Sequence, residues 1–237
     1  MVVLALALSL TPTVGADEYV PSDPVYRPAL GWICWPRRVL GDFDGDGERE
    51  PAVVWNRSGP HRVCDEFEPE ARWHVTVWLG NGARADRPLP CEAGPTFCWP
   101  EAGDLDGDGR DELAVHTCCG AALGELHVYG LAGSELRAAV LLGAPPAGLR
   151  PGPFVLRTAG DWVTRDTFGC RRHGSGVLVI VVSTARRLGG SDRWRIWRAR
   201  VRGEDGVFRV VGSRRFRAEP RGAFPRGPRV EACFATP

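Results

Sequence analysis

The chain of 237 residues contains no lysine, so all thirty of its Lys/Arg positions are arginine. Exclusive use of Arg reflects a GC-rich genome rather than a function. After the N-terminal residues no apolar run approaches the ~18 residues that span a bilayer, which excludes a spanning helix there. No stretch shows sustained helical periodicity, which excludes a helical bundle and leaves an all-β fold. No Cys-x-x-Cys pair or histidine cluster with ligand spacing occurs, which argues against zinc. A phosphate-binding glycine loop is missing. His173-Gly-Ser-Gly176 is a turn, not the Gly-x-Ser-x-Gly elbow of hydrolases. The five histidines are scattered, and His74, His116 and His127 fall in strand-like stretches where a structural role is expected.

Against these absences stand two copies of one acidic loop. The first runs Gly41-Asp42-Phe43-Asp44-Gly45-Asp46-Gly47-Glu48-Arg49-Glu50. The second runs Gly103-Asp104-Leu105-Asp106-Gly107-Asp108-Gly109-Arg110-Asp111-Glu112, 62 residues later. A carboxylate at every second position, then a glycine, then another acid, suits calcium, a hard cation that takes about six to eight oxygen ligands. The expected ligands of the first copy are Asp42, Asp44, Asp46, the carbonyl of Glu48, and Glu50. Those of the second are Asp104, Asp106, Asp108, the carbonyl of Arg110, and Glu112. Gly47 permits the tight turn. A solvated acidic turn is the plain alternative, and the matched second copy weighs against it. An EF-hand is excluded, because the twelfth loop residues are Val53 and Val115 and the flanks are β-branched strands.

The motif Gly-Asp-Phe-Asp-Gly-Asp-Gly followed by a short apolar strand resembles the FG-GAP or VCBS-type repeat, the blade unit of integrin α-like β-propellers. The resemblance covers about residues 33–145. It implies calcium held between the first two strands of a blade by Asp42, Asp44, Asp46 and Glu50, and by Asp104, Asp106, Asp108 and Glu112. The family more often closes the site with Asp than with the longer Glu. The repeat extends outside the loops, with Cys34-Trp35-Pro36 before the first and Cys98-Trp99-Pro100 before the second, 64 residues apart. Thr158-Ala-Gly-Asp161 echoes Glu101-Ala-Gly-Asp104 without the later acids, as in a unit that has lost its metal.

The expected architecture is therefore a β-propeller-like array of about three to four four-stranded blades. Strands are expected near 38–43, 51–56, 73–80 and 84–89, then 100–104, 112–117, 124–130 and 135–142. A third set is expected near 154–159, 177–184, 193–202 and 206–216. Blades would span about 33–90, 95–145 and 150–216, with 217–237 as a closing segment. Arginines fall on odd positions before Ile196-Trp197 and even positions after it, which predicts a β-bulge there.

Residues 1–16 read as a signal peptide, with an apolar run over Val2–Leu10 and small residues Val14-Gly15-Ala16 before Asp17. Residues 17–237 would form one exported domain, placed outside the cell or in its envelope. Eight cysteines agree with an oxidising compartment. The repeat suggests pairing of Cys34 with Cys64, and of Cys98 with Cys118 or Cys119. The nine tryptophans are expected in core positions, with sugar stacking as the lesser alternative.

Formal net charge is +1, yet Arg186 to Arg229 holds fourteen arginines and four acids. Binding of a polyanion by this C-terminal third is one reading, and the solvated face of edge strands is the plainer one. Nucleic acid is not expected, because no base-stacking or helical DNA-binding motif accompanies the charge. The sequence as a whole predicts a secreted, calcium-binding module that engages an extracellular ligand, a glycan or a protein. The alternative is an extracellular hydrolase or lyase that carries these repeats.

Overall fold

In a computed structural model, the structure describes residues 25–27, 31–57, 73–90, 98–117, 123–143, 149–160, 164–172, 178–188, 193–218 and 231–234. Among the described residues the fold is all-β apart from a single helical turn, α1 (Glu231–Phe234). The first sheet is an antiparallel ribbon of β1 (Val25–Arg27), β2 (Gly31–Gly41), β3 (Glu50–Arg57), β4 (Trp73–Trp78) and β5 (Arg84–Pro88). These strands pair in chain order, as expected for one blade, with β1 added at the edge. The first acidic loop joins β2 to β3. In β2, Cys34 faces Asn56 but Arg37 faces Val54, so Trp35 and Pro36 together oppose one residue. This bulge carries Trp35 at φ +46° and lies in the tripeptide whose spacing differs between the two copies.

The second unit repeats the pattern with β6 (Trp99–Gly103), β7 (Glu112–His116), β8 (Leu123–Ala132) and β9 (Glu135–Ala138). The second acidic loop joins β6 to β7. Strands β10 (Val140–Leu142) and β11 (Gly152–Pro153) are short connections. The third unit is β12 (Val155–Gly160), β13 (Thr164–Arg172), β14 (Leu178–Arg187), β15 (Trp194–Glu204) and β16 (Val207–Ala218).

Three features depart from the expectation. Strand β13 lies between the strands expected near 154–159 and 177–184, where none is expected. Its only inward apolar residues among those with described side chains are Phe168 and Cys170, so its pattern is faint. Second, β12 pairs with β8 from Val155↔His127 to Ala159↔Leu123, which fuses units two and three into one eleven-stranded sheet. Third, β15 has no bulge at Ile196-Trp197. The β14·β15 register runs unbroken from Ile180↔Val201 to Arg187↔Trp194. The phase slip arises because Ile196 and Ala185 are buried on the same face as Arg198. The bulge lies later, between Arg200↔Gly212 and Val201↔Val210, with Val211 as the extra residue.

Two cores follow from these pairings. One packs Phe43, Ala52, Val54, Val75 and Val77 of the first unit against Leu113, Val115, Tyr129 and Leu136 of the second. The other packs Leu105, Ala114, Leu126 and Val128 of the second against Phe168, Ile180, Ala199, Val201 and Phe208 of the third. β7 thus buries both faces, Leu113 and Val115 one way and Ala114 the other. Full burial of Leu113 or Val115 contributes about 1.5–3 kcal/mol each.

Cys170 of β13 is disulfide-bonded to Cys233 of α1. Cys34 and Cys98 are also disulfide-bonded. Their expected partners Cys64, Cys118 and Cys119 lie outside the described residues, as do residues 1–16, Asp161, and most of 217–237. The Cys170–Cys233 bridge closes a loop of 63 residues. Replacing both by serine is expected to lower unfolding free energy by about 2–5 kcal/mol in urea titrations; an unchanged midpoint would show that the bridge does not anchor α1.

Candidate metal centres

The two loops share the same backbone-to-carboxylate hydrogen bonds at four equivalent positions. Asp42 Oδ1 accepts from the Gly45 amide at 2.8 Å, and Asp104 Oδ1 from the Gly107 amide at 2.6 Å. Asp44 Oδ1 accepts from Asp46 at 3.2 Å, and Asp106 Oδ1 from Asp108 at 3.1 Å. Asp46 Oδ1 accepts from Glu48, and Asp108 Oδ1 from Arg110, both at 2.8 Å. Gly47 and Gly109 sit at φ +89° and +91°, where a Cβ would be strained. Phe43 and Leu105, between the first two acids, are buried plugs that tie each loop to a core. Their role was not read from the sequence, although one apolar residue in an otherwise polar loop is the signal.

The closing glutamates are both 3% exposed. Glu50 Oε2 accepts from the Phe43 amide at 2.8 Å, and Glu112 Oε2 from the Leu105 amide at 2.7 Å. Burial pushes the Glu50 carboxyl up, and Asp44, Asp46 and Asp42 push the same way against the Phe43 amide. Glu112 is held well above its ordinary range, chiefly by burial and then by Asp106. Burial likewise raises Asp106, partly offset by the Gly206 amide.

The two clusters differ in completeness. Carboxylate oxygens of Asp42, Asp44, Asp46 and Glu50 lie within 4.8 Å of one another. In the second loop only Asp104, Asp106 and Asp108 converge in this way, and Glu112 is taken up by the amides of Leu105 and Asp106. Arg110 also bonds Asp108 through its guanidinium, with Nε at 2.9 Å, and lies 3.5 Å from Asp205. Glu48 and Arg110 engage the loops through their amides.

A metal fits the first loop on two grounds. Its donors are all hard oxygens, and two oxygens on one calcium at about 2.3–2.6 Å each are never more than about 5 Å apart. Glu50 Oε1 is buried without a hydrogen-bond partner, an uncompensated acceptor that a cation would satisfy.

Each loop leans on the next element. Asp42 donates its amide to Asp111 Oδ2 at 3.0 Å, and the Asp111 amide donates back to the Asp42 carbonyl at 2.7 Å. The second loop meets the β15–β16 turn, where the Gly206 amide donates to Asp106 Oδ2 at 2.6 Å. A Cβ on Gly203 would stand 2.3 Å from the Asp106 Cβ, so only glycine lets β15 approach so closely. Asp111, Gly203 and Gly206 were not foreseen, because their partners are distant in sequence.

Histidine–carboxylate pairs also emerge. His116 Nε2 lies 3.4 Å from Glu101 Oε1, with its ring stacked on Trp99. His127 Nε2 lies 3.3 Å from Glu125, which Arg157 also holds. All three strand histidines lie in strands, as expected.

No family model matches the chain. Among curated proteins, it is 29% identical over 101 residues to "Rhamnogalacturonan exolyase YesX" of Bacillus subtilis (strain 168). The alignment covers 38% of this chain and 15% of that protein, so this chain spans a small part of that relative's length. No solved structure matches.

With Kd on the order of 0.1–1 mM, about 10 mM calcium should add about 1.4–2.7 kcal/mol per occupied site. The thermal midpoint should rise accordingly, by about 2–4 °C per kcal/mol for a chain of this size. Asp44→Ala should remove most of the rise that the first loop supplies. A midpoint equal in calcium and in chelator would show that neither loop holds the ion.

Proposed function

We propose that this protein is a secreted, calcium-stabilised, β-propeller-like module that binds an extracellular glycan. The observation that carries the reading is the first loop, where four carboxylates converge around a buried acceptor with no protein partner. Calcium is structural in this account. It relieves the repulsion among the acids, and so stiffens the β2–β3 and β6–β7 loops, which lean on the next unit. In each loop Asp and Glu side chains would hold the ion, with the Glu48 and Arg110 carbonyls as further ligands.

Export is supported by the disulfide between Cys170 and Cys233. No helix among the described residues is long and apolar enough to cross a membrane. The FG-GAP-like loops support a repeat of propeller type, and the ribbon pairing of β2–β5 and β6–β9 agrees with blade units. A glycan is favoured over a protein ligand because the aligned relative is named as a rhamnogalacturonan exolyase.

The same name favours one second reading, an extracellular polysaccharide lyase. The residues for it would be His116 and Glu101, 3.4 Å apart, although His116 Nε2 is buried and a substrate would have to uncover it. Incubation with rhamnogalacturonan decides between the two. A binding module retains the polymer in calcium, releases it in chelator, and forms no unsaturated ends by ultraviolet absorbance. Steady formation of such ends, abolished by His116→Ala, would replace the binding reading with the enzymatic one.

A further inference from the structure

The outward face of the third unit carries a second feature, unrelated to the acidic loops. Alternation in β14 sends Leu178, Ile180 and Val182 into the core and turns Val179, Val181 and Ser183 to the other face. The same face of β15 and β16 presents Arg198 opposite Arg214, and Arg200 opposite Gly212. Arg171 of β13 stands opposite Val179. Arg171, Val179, Val181, Arg198, Arg200 and Arg214 line a groove of about 530 Å³, within the size range of small-ligand sites. Val211, pushed out by the bulge, is 53% exposed and also lines it.

The four guanidiniums have no carboxylate partner among the described residues. Arg198 instead donates to Ser183 Oγ at 3.1 Å. The Phe216 ring lies 5.5 Å from the Arg198 guanidinium and 5.2 Å from that of Arg214. Arg200 lies over Gly212, where a Cβ would come within 2.9 Å of its Nη2. Burial, then the charges of Arg214 and Arg171, loosen the hold of Arg198 on its proton. Elsewhere on β15–β16 the arginines have another task, since Arg195 and Arg215 both lie over Trp197. The groove therefore gathers four like charges, Arg198 half-buried and the other three exposed, with no carboxylate counter-ion among the described residues.

We infer that the β13–β16 groove formed by Arg171, Arg198, Arg200 and Arg214 binds an acidic polysaccharide through its carboxylates or sulfates. The inference rests on the extracellular-glycan reading above. Guanidinium forks pair bidentately with such planar or tetrahedral anions. The floor of Val179, Val181 and Val211 gives the apolar faces of sugar rings a dry surface. Single-stranded nucleic acid is disfavoured, because its sequence-tolerant binding uses exposed aromatic platforms; no described residue lining the groove is aromatic, and the nearby Phe216 ring is engaged by Arg198 and Arg214.

The test measures fluorescence anisotropy of labelled oligogalacturonate, a sulfated heparin oligosaccharide, a neutral methyl-esterified oligogalacturonate and single-stranded DNA. Each is titrated with the oxidised full chain in low salt, without added calcium. Binding of either acidic sugar is expected, weakening as salt rises, and the tighter of the two names the anion. Arg171→Ala/Arg214→Ala should weaken it about tenfold or more. Both side chains are exposed, so the fold should survive. Val211→Glu, which adds a negative charge to the groove without removing an arginine, should weaken it likewise. Unchanged affinity in both variants, no binding of either acidic sugar, or tighter binding of DNA or the neutral sugar would overturn the assignment. Calcium titration of the same samples separates failures. Lost sugar binding with calcium binding intact sinks the groove alone; the reverse sinks the metal reading alone.

Discussion

The mutual repulsion of clustered carboxylates governs this structure. Each loop gathers three aspartates whose carboxylate oxygens lie within 4.8 Å of one another, and places a glutamate of 3% exposure behind them. Two unit charges about 4 Å apart repel by about 4 kcal/mol at an effective dielectric of 20. Amides absorb part of that charge. In the second loop Arg110 absorbs more, through Asp108. The first loop has no such cation at its centre, and Glu50 Oε1 is left without a partner. The two copies thus share a backbone and differ in how their charge is balanced.

The loops matter beyond their own residues because they sit where units meet. Phe43 enters the core between the first two units, and Leu105 the core between the second and third. The Asp42–Asp111 pair joins loop to loop, and Asp106 holds the β15–β16 turn through Gly206. That turn closes the two strands that carry Arg198, Arg200 and Arg214. A change in the charge balance at Asp106 therefore reaches the hairpin directly, whereas the groove lies farther along the same strands.

The loops and the strands beside them were legible because their information is local. Alternating Asp, a glycine and the following β-branched run place β3, β6 and β7, and the end of β2, within a residue or two of where they lie; β2 starts seven residues before the expected 38. The cross-chain features were not legible. β12 joins β8 through backbone bonds that leave no mark on side-chain pattern. β13 offers Phe168 and Cys170 to the core among polar neighbours, too few inward residues to declare a strand. The arginine run suggested a basic surface, but only the register sorts it into Trp197 clamps on one face and a groove on the other. The phase slip at Ile196 marks a face that is apolar at one end and charged at the other, not an inserted residue.

Calorimetric titration of calcium into the oxidised full chain, beside the Asp44→Ala/Asp106→Ala variant, tests the central claim most directly. The account predicts about two sites in the wild type, with Kd on the order of 0.1–1 mM, and none in the variant. No heat of binding in the wild type, or an isotherm unchanged by the two substitutions, would contradict it and leave the acidic loops as turns.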